Sequence, residues 1–438
     1  MKEPLYIGIG HADITPPIGC KLAGYEPKRR SESIHDHLNL TVMVLAQGET
    51  RAILATADVV SLADPESVAV RKIMGEAAGV PWENIIFSMT HTHSGPVTLL
   101  GPDYKDQDPE YMHGIFFPAA GEAAKKAAAC LREAELGIGT VQSTVGINRR
   151  QIREDGTIML GQEPLALYDP NMTVLSFRTK EGETLANLVH YGAHNTGSGK
   201  NKEISRDWCG VMVDRLASES GAWTFFMNGC EGSCGPRLSN GKTTGLGDIS
   251  FAMELGGKAA IDACTAWRGI REWRRKPLLK VAQGDIALPK VVLPSAETLE
   301  KRIAGMGDPS VLIGLDKNTY DGLVWQLEQV RSGHETEEPK IIRTTVISVG
   351  PVAFIPVPFE AFSGMTMRVS RHSPFPITLC ASCGNGRNGY FPTKDQIAMG
   401  GYEVHTARSR KHYPFADDAD QAFVAGAVTL LKQLWEQE

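Results

Sequence analysis

Apolar runs that end in polar, glycine-bearing turns recur along the chain, and they predict a strand-rich α/β protein. Residues 5–9 read as a strand. Residues 39–46 and 51–60 read as a hairpin about Gly48-Glu49, and 341–349 with 352–357 as a second hairpin about Gly350-Pro351. Further strands are predicted over 83–87, 137–146, 171–178, 184–191, 223–227, 278–288 and 377–381. Helical apolar spacing runs over 65–78, where Asp64 is placed to cap, Pro65 suits the first turn and Gly79 stops the helix. Other helices are predicted over 109–135, 207–218 (capped by Asp207), 247–267 and 416–437, with one more opened by Glu360. Residues 295–340 change character: charged, helical in period, a small helical excursion within the domain. No internal repeat or low-complexity tract breaks the pattern, so 1–438 is expected to be a single domain.

Charge and composition narrow the function. A net charge of −6 and a pI near 6.1 give no electrostatic footprint for nucleic acid or anionic lipid. The basic clusters at 28–30 and 271–276 are short and read as solvated faces. No apolar stretch is long enough to span a bilayer, and no apolar leader precedes the first strand, so a cytoplasmic protein is expected. The eight cysteines are scattered and describe no disulfide framework, which fits a reducing compartment. Cys230-x3-Cys234 and Cys380-x2-Cys383 have the spacing of a four-thiolate zinc site. The strand-like run around the second pair would aim its thiols at opposite faces, which argues against one.

The candidate chemistry centres on Thr90-His91-Thr92-His93-Ser94-Gly95-Pro96, directly after the strand predicted at 83–87. Side chains alternate along a strand, so His91 and His93 are expected on one face. Two imidazoles there make half of a metal site, or a ligand plus a proton-transfer group. A bare His-x-His pair is as readily two hydrogen-bonded polar residues. The same grammar recurs downstream. His190 and His194 end the 184–191 strand, four residues apart. Glu360 follows an apolar run, and Tyr390 sits in an Asn-Gly-x-Asn-Gly-Tyr turn. Taken singly, each has a plainer reading: core histidine, first-turn carboxylate of a helix, aromatic anchor.

Together these segments resemble the catalytic domain of the neutral/alkaline non-lysosomal ceramidases. The matching motifs are Gly8-Ile9-Gly10-His11-Ala12-Asp13-Ile14-Thr15, Thr90 to Pro96, and Tyr191-Gly192-Ala193-His194-Asn195-Thr196. They continue through Pro358-Phe359-Glu360 to Gly389-Tyr390-Phe391-Pro392-Thr393, in family order. The resemblance implies a four-layer αββα sandwich, two antiparallel or mixed sheets flanked by helices. It implies Zn2+ held by His91, His194, Glu360 and Tyr390; beside such a centre His93 is expected to shuttle a proton or hold the oxyanion, and Tyr390 to serve as ligand, oxyanion donor or both. A small-molecule or lipid-like substrate whose N-acyl amide bond is hydrolysed follows from it too.

The departures from the family are specific. Its Gly-Asp-x-Ser-Pro segment aligns with Gly232-Ser233-Cys234-Gly235-Pro236, which puts Gly235 at the serine position and Ser233 at the aspartate position. No counterpart of the family's C-terminal immunoglobulin-like domain is expected. The expectation is a relative that keeps the metal centre, with water as nucleophile and altered substrate contacts. Asn228, Glu231, Arg387 and Asn388 are candidate pocket residues by position, and Asp58 is a candidate orienting carboxylate. Three other readings stay open at this point: an ester-, lactone- or carbohydrate-directed hydrolase on the same fold, a barrel-type metal hydrolase, and a non-catalytic relative.

Overall fold

The computed structural model describes residues 3–26, 28–98, 107–408 and 411–437. Met1 and Lys2, on which the expectation of no leader draws, lie outside the described residues. Among the described residues no helix is long and apolar enough to cross a membrane.

Three main sheets form among those residues, and each has the same plan. The first runs Ile85–Met89, Thr50–Ala57, Asn39–Gln47, Tyr6–Asp13, Arg132–Glu133. The second runs Trp223–Asn228, Thr184–Tyr191, Asn171–Arg178, Glu135–Gln142, Trp273–Arg274. The third runs Leu279–Leu288, Lys340–Val349, Val352–Val357, Ile377–Ser382. Each is antiparallel except for one edge, where two strands pair in parallel: Thr50–Ala57 with Ile85–Met89, Thr184–Tyr191 with Trp223–Asn228, and Val352–Val357 with Ile377–Ser382. The loops leaving the carboxyl ends of these six strands carry His91, His194, Glu360 and most of the other candidate residues.

Side-chain alternation explains the layering. In the first sheet Val42, Val44, Ile53, Ala55, Ile85 and Phe87 face the helices Asp64–Ala78 and Phe117–Ala129. Met43, Leu45, Leu54 and Ile86 face the other way, into a core shared with Leu175, Leu188 and Phe225 of the second sheet and Ile347, Phe354 and Leu379 of the third. The outer faces of these two sheets are covered by Asp207–Ser220 with Ser250–Arg268, and by Ser363–His372 with Ala419–Glu436. The expected helix–sheet–sheet–helix order is therefore present, with the second sheet layer divided in two. The 295–340 excursion consists of the helices Ala296–Gly305 and Gly314–Arg331.

Several local expectations shift, for identifiable reasons. The helix predicted to reach 135 ends at Ala129, because Arg132 and Glu133 pair with Tyr6 and Ile7. A hairpin, Gly146–Ile152 with Ile158–Glu163, begins where the strand predicted over 137–146 ends and fills a stretch for which no element is predicted. Asp64 does not cap its helix. The N-cap position is Ala63, without a side-chain cap, and the Asp64 carboxylate takes Lys340 at 3.1 Å instead. Glu360 does not open a helix either: it lies in the two-residue strand Glu360–Ala361, and the next helix starts at Ser363.

Candidate metal centre

The two histidines of the first motif do not sit on a strand. The Ile85–Met89 strand has ended, and His91 takes a left-handed conformation (φ 64°) that few side chains adopt without tertiary support. That support is a set of backbone bonds. His91 N donates to Val59 O at 3.1 Å, Thr92 bridges Asn195 in parallel, and His93 N donates to Asn195 O at 3.3 Å. His91 and His93 still end with ring centroids 5.1 Å apart, through this kink and not through strand alternation. His194 likewise lies past its strand, its N donating to Cys234 O at 3.0 Å. Asn228, fully buried, ties the two turns together. It donates to Thr90 O at 3.2 Å and accepts from Ala193 N at 3.3 Å. Glu360 and Tyr390 face each other as register partners of two short parallel strands.

Hydrogen bonding fixes the tautomers. His91 Nδ1 lies 2.8 Å from Val60 O, and His194 Nδ1 2.8 Å from Glu231 O. A carbonyl only accepts, so both Nδ1 atoms carry the proton and both Nε2 atoms present a lone pair. These lone pairs point at one carboxylate oxygen: Glu360 Oε2 is 3.7 Å from His91 Nε2 and 3.5 Å from His194 Nε2. Burial drives the His91 pKa down to about 3 and lowers that of His194, so neither ring is charged at neutral pH. Burial alone would raise Glu360. Arg387, with two nitrogens on Oε1 at 2.7 and 3.1 Å, and the two histidines outweigh it and hold the carboxyl well below the usual range.

Three electron-pair donors thus converge with no hydrogen among them, and His194 Nε2 is buried without a hydrogen bond. Such an arrangement repels itself unless a cation sits in it. Donors about 2.0–2.2 Å from a tetrahedral ion stand about 3.4 Å from one another, close to the spacing seen here. The donor set fits a divalent metal. The Tyr390 ring stacks 6.4 Å from that of His194. Its hydroxyl is pushed well above its ordinary pKa by burial, against the pull of Arg149, whose guanidinium lies 5.3 Å from the ring centroid. His93 is half-buried, with neither ring nitrogen bonded, 5.9 Å from His194 by ring centroids. Nitrogens of His91, His93 and His194 also lie within 4.8 Å of one another, an alternative grouping that shares two of the ligands.

No protein-family model matches this chain, and no curated protein does. Solved structures do. The neutral ceramidase of Pseudomonas aeruginosa superposes with a TM-score of 0.74 over 99% of this chain and 75% of its own, at 19% identity. The chain has the fold of a neutral ceramidase. A second solved structure, a ceramidase complexed with C2, gives a TM-score of 0.74, 18% identity, and coverage of 99% and 76%. The fold implied by the sequence resemblance is therefore present along the whole chain.

On this ceramidase fold the remaining candidate residues fall into place one by one. Arg387 holds Glu360. Asn388 turns the other way and donates to Pro358 O at 3.1 Å and Asp64 Oδ1 at 3.3 Å. Asp58 does not orient a histidine, since the Val60 carbonyl does that. Asp58 accepts from Asn39 N at 2.8 Å. Asp207, in a left-handed conformation, pins the loop after His194 by accepting from Gly197 N at 2.7 Å and Ser198 N at 2.8 Å. His190 donates to or accepts nothing at the centre; its Nε2 meets Cys380 O at 2.9 Å.

The four cysteines do not assemble a thiolate site. Cys230 and Cys380 pack in one apolar cluster, Cys234 in another, and Cys383 lies against His91 and Glu231. Gly235 cannot host a serine unaided, because a Cβ there would stand 2.6 Å from Thr243 Cβ. The Ser233 hydroxyl accepts from Ser363 N at 3.1 Å and is buried. Two further residues line the centre: Arg149, which no motif flagged, and Cys383, flagged only as half of a thiolate pair. Arg149 sits mid-strand beside Arg150, in a stretch for which no element is predicted. Cys383, one residue past its strand, lies 3.6 Å from the fully buried Glu231 Oε1. Burial, with Glu360 beside it, pushes Glu231 up to about 8.

Proposed function

We propose that this chain is a zinc-dependent hydrolase that cleaves the amide bond of an N-acyl substrate with water, not a side chain, as nucleophile. The observation that carries the reading is the convergence of two neutral imidazole lone pairs and one carboxylate oxygen at 3.5–3.7 Å. His91, His194 and Glu360 would hold the ion, with Tyr390 completing the set. Arg387 keeps Glu360 ionised and aimed. When bound, the ion supplies a Lewis acid and makes water a stronger acid at neutral pH. His93, with an unused ring nitrogen, takes the proton of the attacking water and returns it to the departing nitrogen. The Tyr390 hydroxyl and the Arg149 charge face the carbonyl oxygen as negative charge develops on it.

The amide bond is supported by the ceramidase fold, an argument from analogy, since shared architecture does not fix substrate. The absence of serine at position 235 and the engagement of Ser233 support water as nucleophile. The substrate is then a small molecule or lipid-like amide. Eight free cysteines, six of them buried, support a reducing, cytoplasmic setting.

Metal analysis of the purified protein tests the reading. One zinc per chain is expected, and His91→Ala or His194→Ala should lose the metal and amide hydrolysis together. Full hydrolysis by either variant defeats the assignment. An acyl group trapped covalently on Ser233 defeats the water mechanism while leaving the metal intact. A panel of N-acyl amides against esters and lactones of the same acyl group decides the bond.

A further inference from the structure

Behind the loop that carries Arg387 lies a second cavity, separate from the metal centre. It has a volume of about 710 Å³, opens to solvent, and is lined by the Asp64–Ala78 helix, the turn at Trp82–Asn84, the Leu279–Leu288 and Lys340–Val349 strands, and Pro358, Asn385 and Asn388, with the carboxylates of Asp64, Glu83 and Asp285 in its walls. Two of its wall residues are unusual. Arg71 is 6% exposed, and its Nε is buried without a partner. Among the described residues it makes no hydrogen bond and no ion pair; its close contact is the Trp82 ring, 4.9 Å away. Thr344 is 2% exposed, and its hydroxyl is also unbonded. The other cations of the cavity are already engaged, Lys340 by Asp64 at 3.1 Å and by Asn388, and Arg343 by Asp285 at 3.5 Å.

A buried guanidinium nitrogen with no acceptor is costly, because the Arg71 Nε–H has left water without gaining a partner. Burial lowers the Arg71 pKa to about 10, with Asp64 and Glu83 pulling it back, so it stays charged at neutral pH. Cation–π contact with one indole does not replace the lost hydrogen bonds. The volume is that of a small-molecule site. We propose that this cavity binds a small metabolite through a carboxylate or phosphate group. The oxyanion is held by Arg71 and the Thr344 hydroxyl, and the uncharged remainder lies against Val68, Trp82 and Ile342. This site does not depend on the metal chemistry proposed above.

Calorimetric titration with inorganic phosphate and, separately, malonate tests the site on the full chain. At least one of the two is expected to bind saturably at one site, and the stronger one identifies the group. Arg71→Gln should weaken it by about tenfold or more, and Thr344→Val by less. The isosteric Thr344→Val variant carries the test should Arg71→Gln not fold. Without anion, Arg71→Gln is expected to melt at or above the wild-type temperature, and anion should raise the wild-type melting point but not the variant's. Binding must persist in His194→Ala, which separates this cavity from the metal centre. The proposal is overturned if neither anion saturates, if Arg71→Gln binds as well as wild type, or if binding vanishes with His194. An Arg71→Gln variant that melts lower, beside a wild type that anion does not stabilise, would make Arg71 a structural clamp on Trp82 and overturn it equally.

Discussion

At the scale of single residues, the centre is a problem in counting protons. His91 and His194 spend their only N–H on backbone carbonyls, and Glu360 spends one oxygen on Arg387. What is left are three lone pairs facing each other. Arg387 is the residue that keeps this arrangement possible without being one of the three donors. Arg387→Met should therefore lower zinc affinity by about 10–100-fold, the usual effect of losing an outer hydrogen-bond partner of a ligand. Competition with a coloured chelator reads this directly, and an unchanged affinity would mean that Glu360 needs no such support. His93 is held differently, by shape. Gly24 has φ 90°, and a Cβ on it would stand 2.2 Å from His93 Nδ1. Gly24→Ala must displace the ring. The expected result is a fall in turnover of about a hundredfold, the scale of one acid–base group, with zinc content unchanged. Loss of zinc in that variant would instead favour the grouping of three histidines as the ligand set.

At the scale of elements, what was legible followed periodicity, and what was hidden was made by tertiary contact. The two hairpins at 39–57 and 340–357 were readable because apolar β-branched runs flank a glycine turn, and the register closes as that pattern demands, with Val349 opposite Val352. The histidine motif was readable as chemistry but not as geometry. Nothing in Thr90-His91-Thr92 announces a left-handed residue, since no glycine marks it. Glu360 was misplaced on a helix because two-residue parallel strands have no periodicity at all. Its neighbour in space, Gly232, gives no local signal either, yet Gly232 N donates to Ala361 O at 2.9 Å. A Cβ at 232 would lie 2.3 Å from the Glu360 carbonyl oxygen. Gly232→Ala should push the Glu360–Ala361 strand off its seat at a cost of about 1–3 kcal/mol. Circular dichroism should show a folded protein and metal analysis a depleted one. A variant with full zinc occupancy would show that the strand tolerates the shift.

At the scale of the whole molecule, the centre is the meeting point of three sheets. His91 comes from the first, His194 from the second and Glu360 from the third, each from the carboxyl end of a parallel edge pair. The same three sheets share one buried core, in which Phe354 is fully enclosed beside Leu54 and Leu188. An ion bound at that junction crosslinks what the core glues together, so the two stabilities should be coupled. A metal that binds only the folded arrangement stabilises it by an amount that grows with the logarithm of its free concentration. Phe354→Ala should cost about 3–5 kcal/mol, through lost burial and the cavity left behind. It should also weaken zinc binding, because the sheets that present the ligands are less firmly registered. Melting curves taken at rising free zinc test both statements: the wild type and the variant should each gain with zinc, and the variant should need more zinc for the same gain. A melting temperature in the wild type that ignores zinc would mean that the ligands do not meet at an ion. A variant that melts lower but binds zinc with wild-type affinity would mean that the loops, and not the core, set the geometry of the centre.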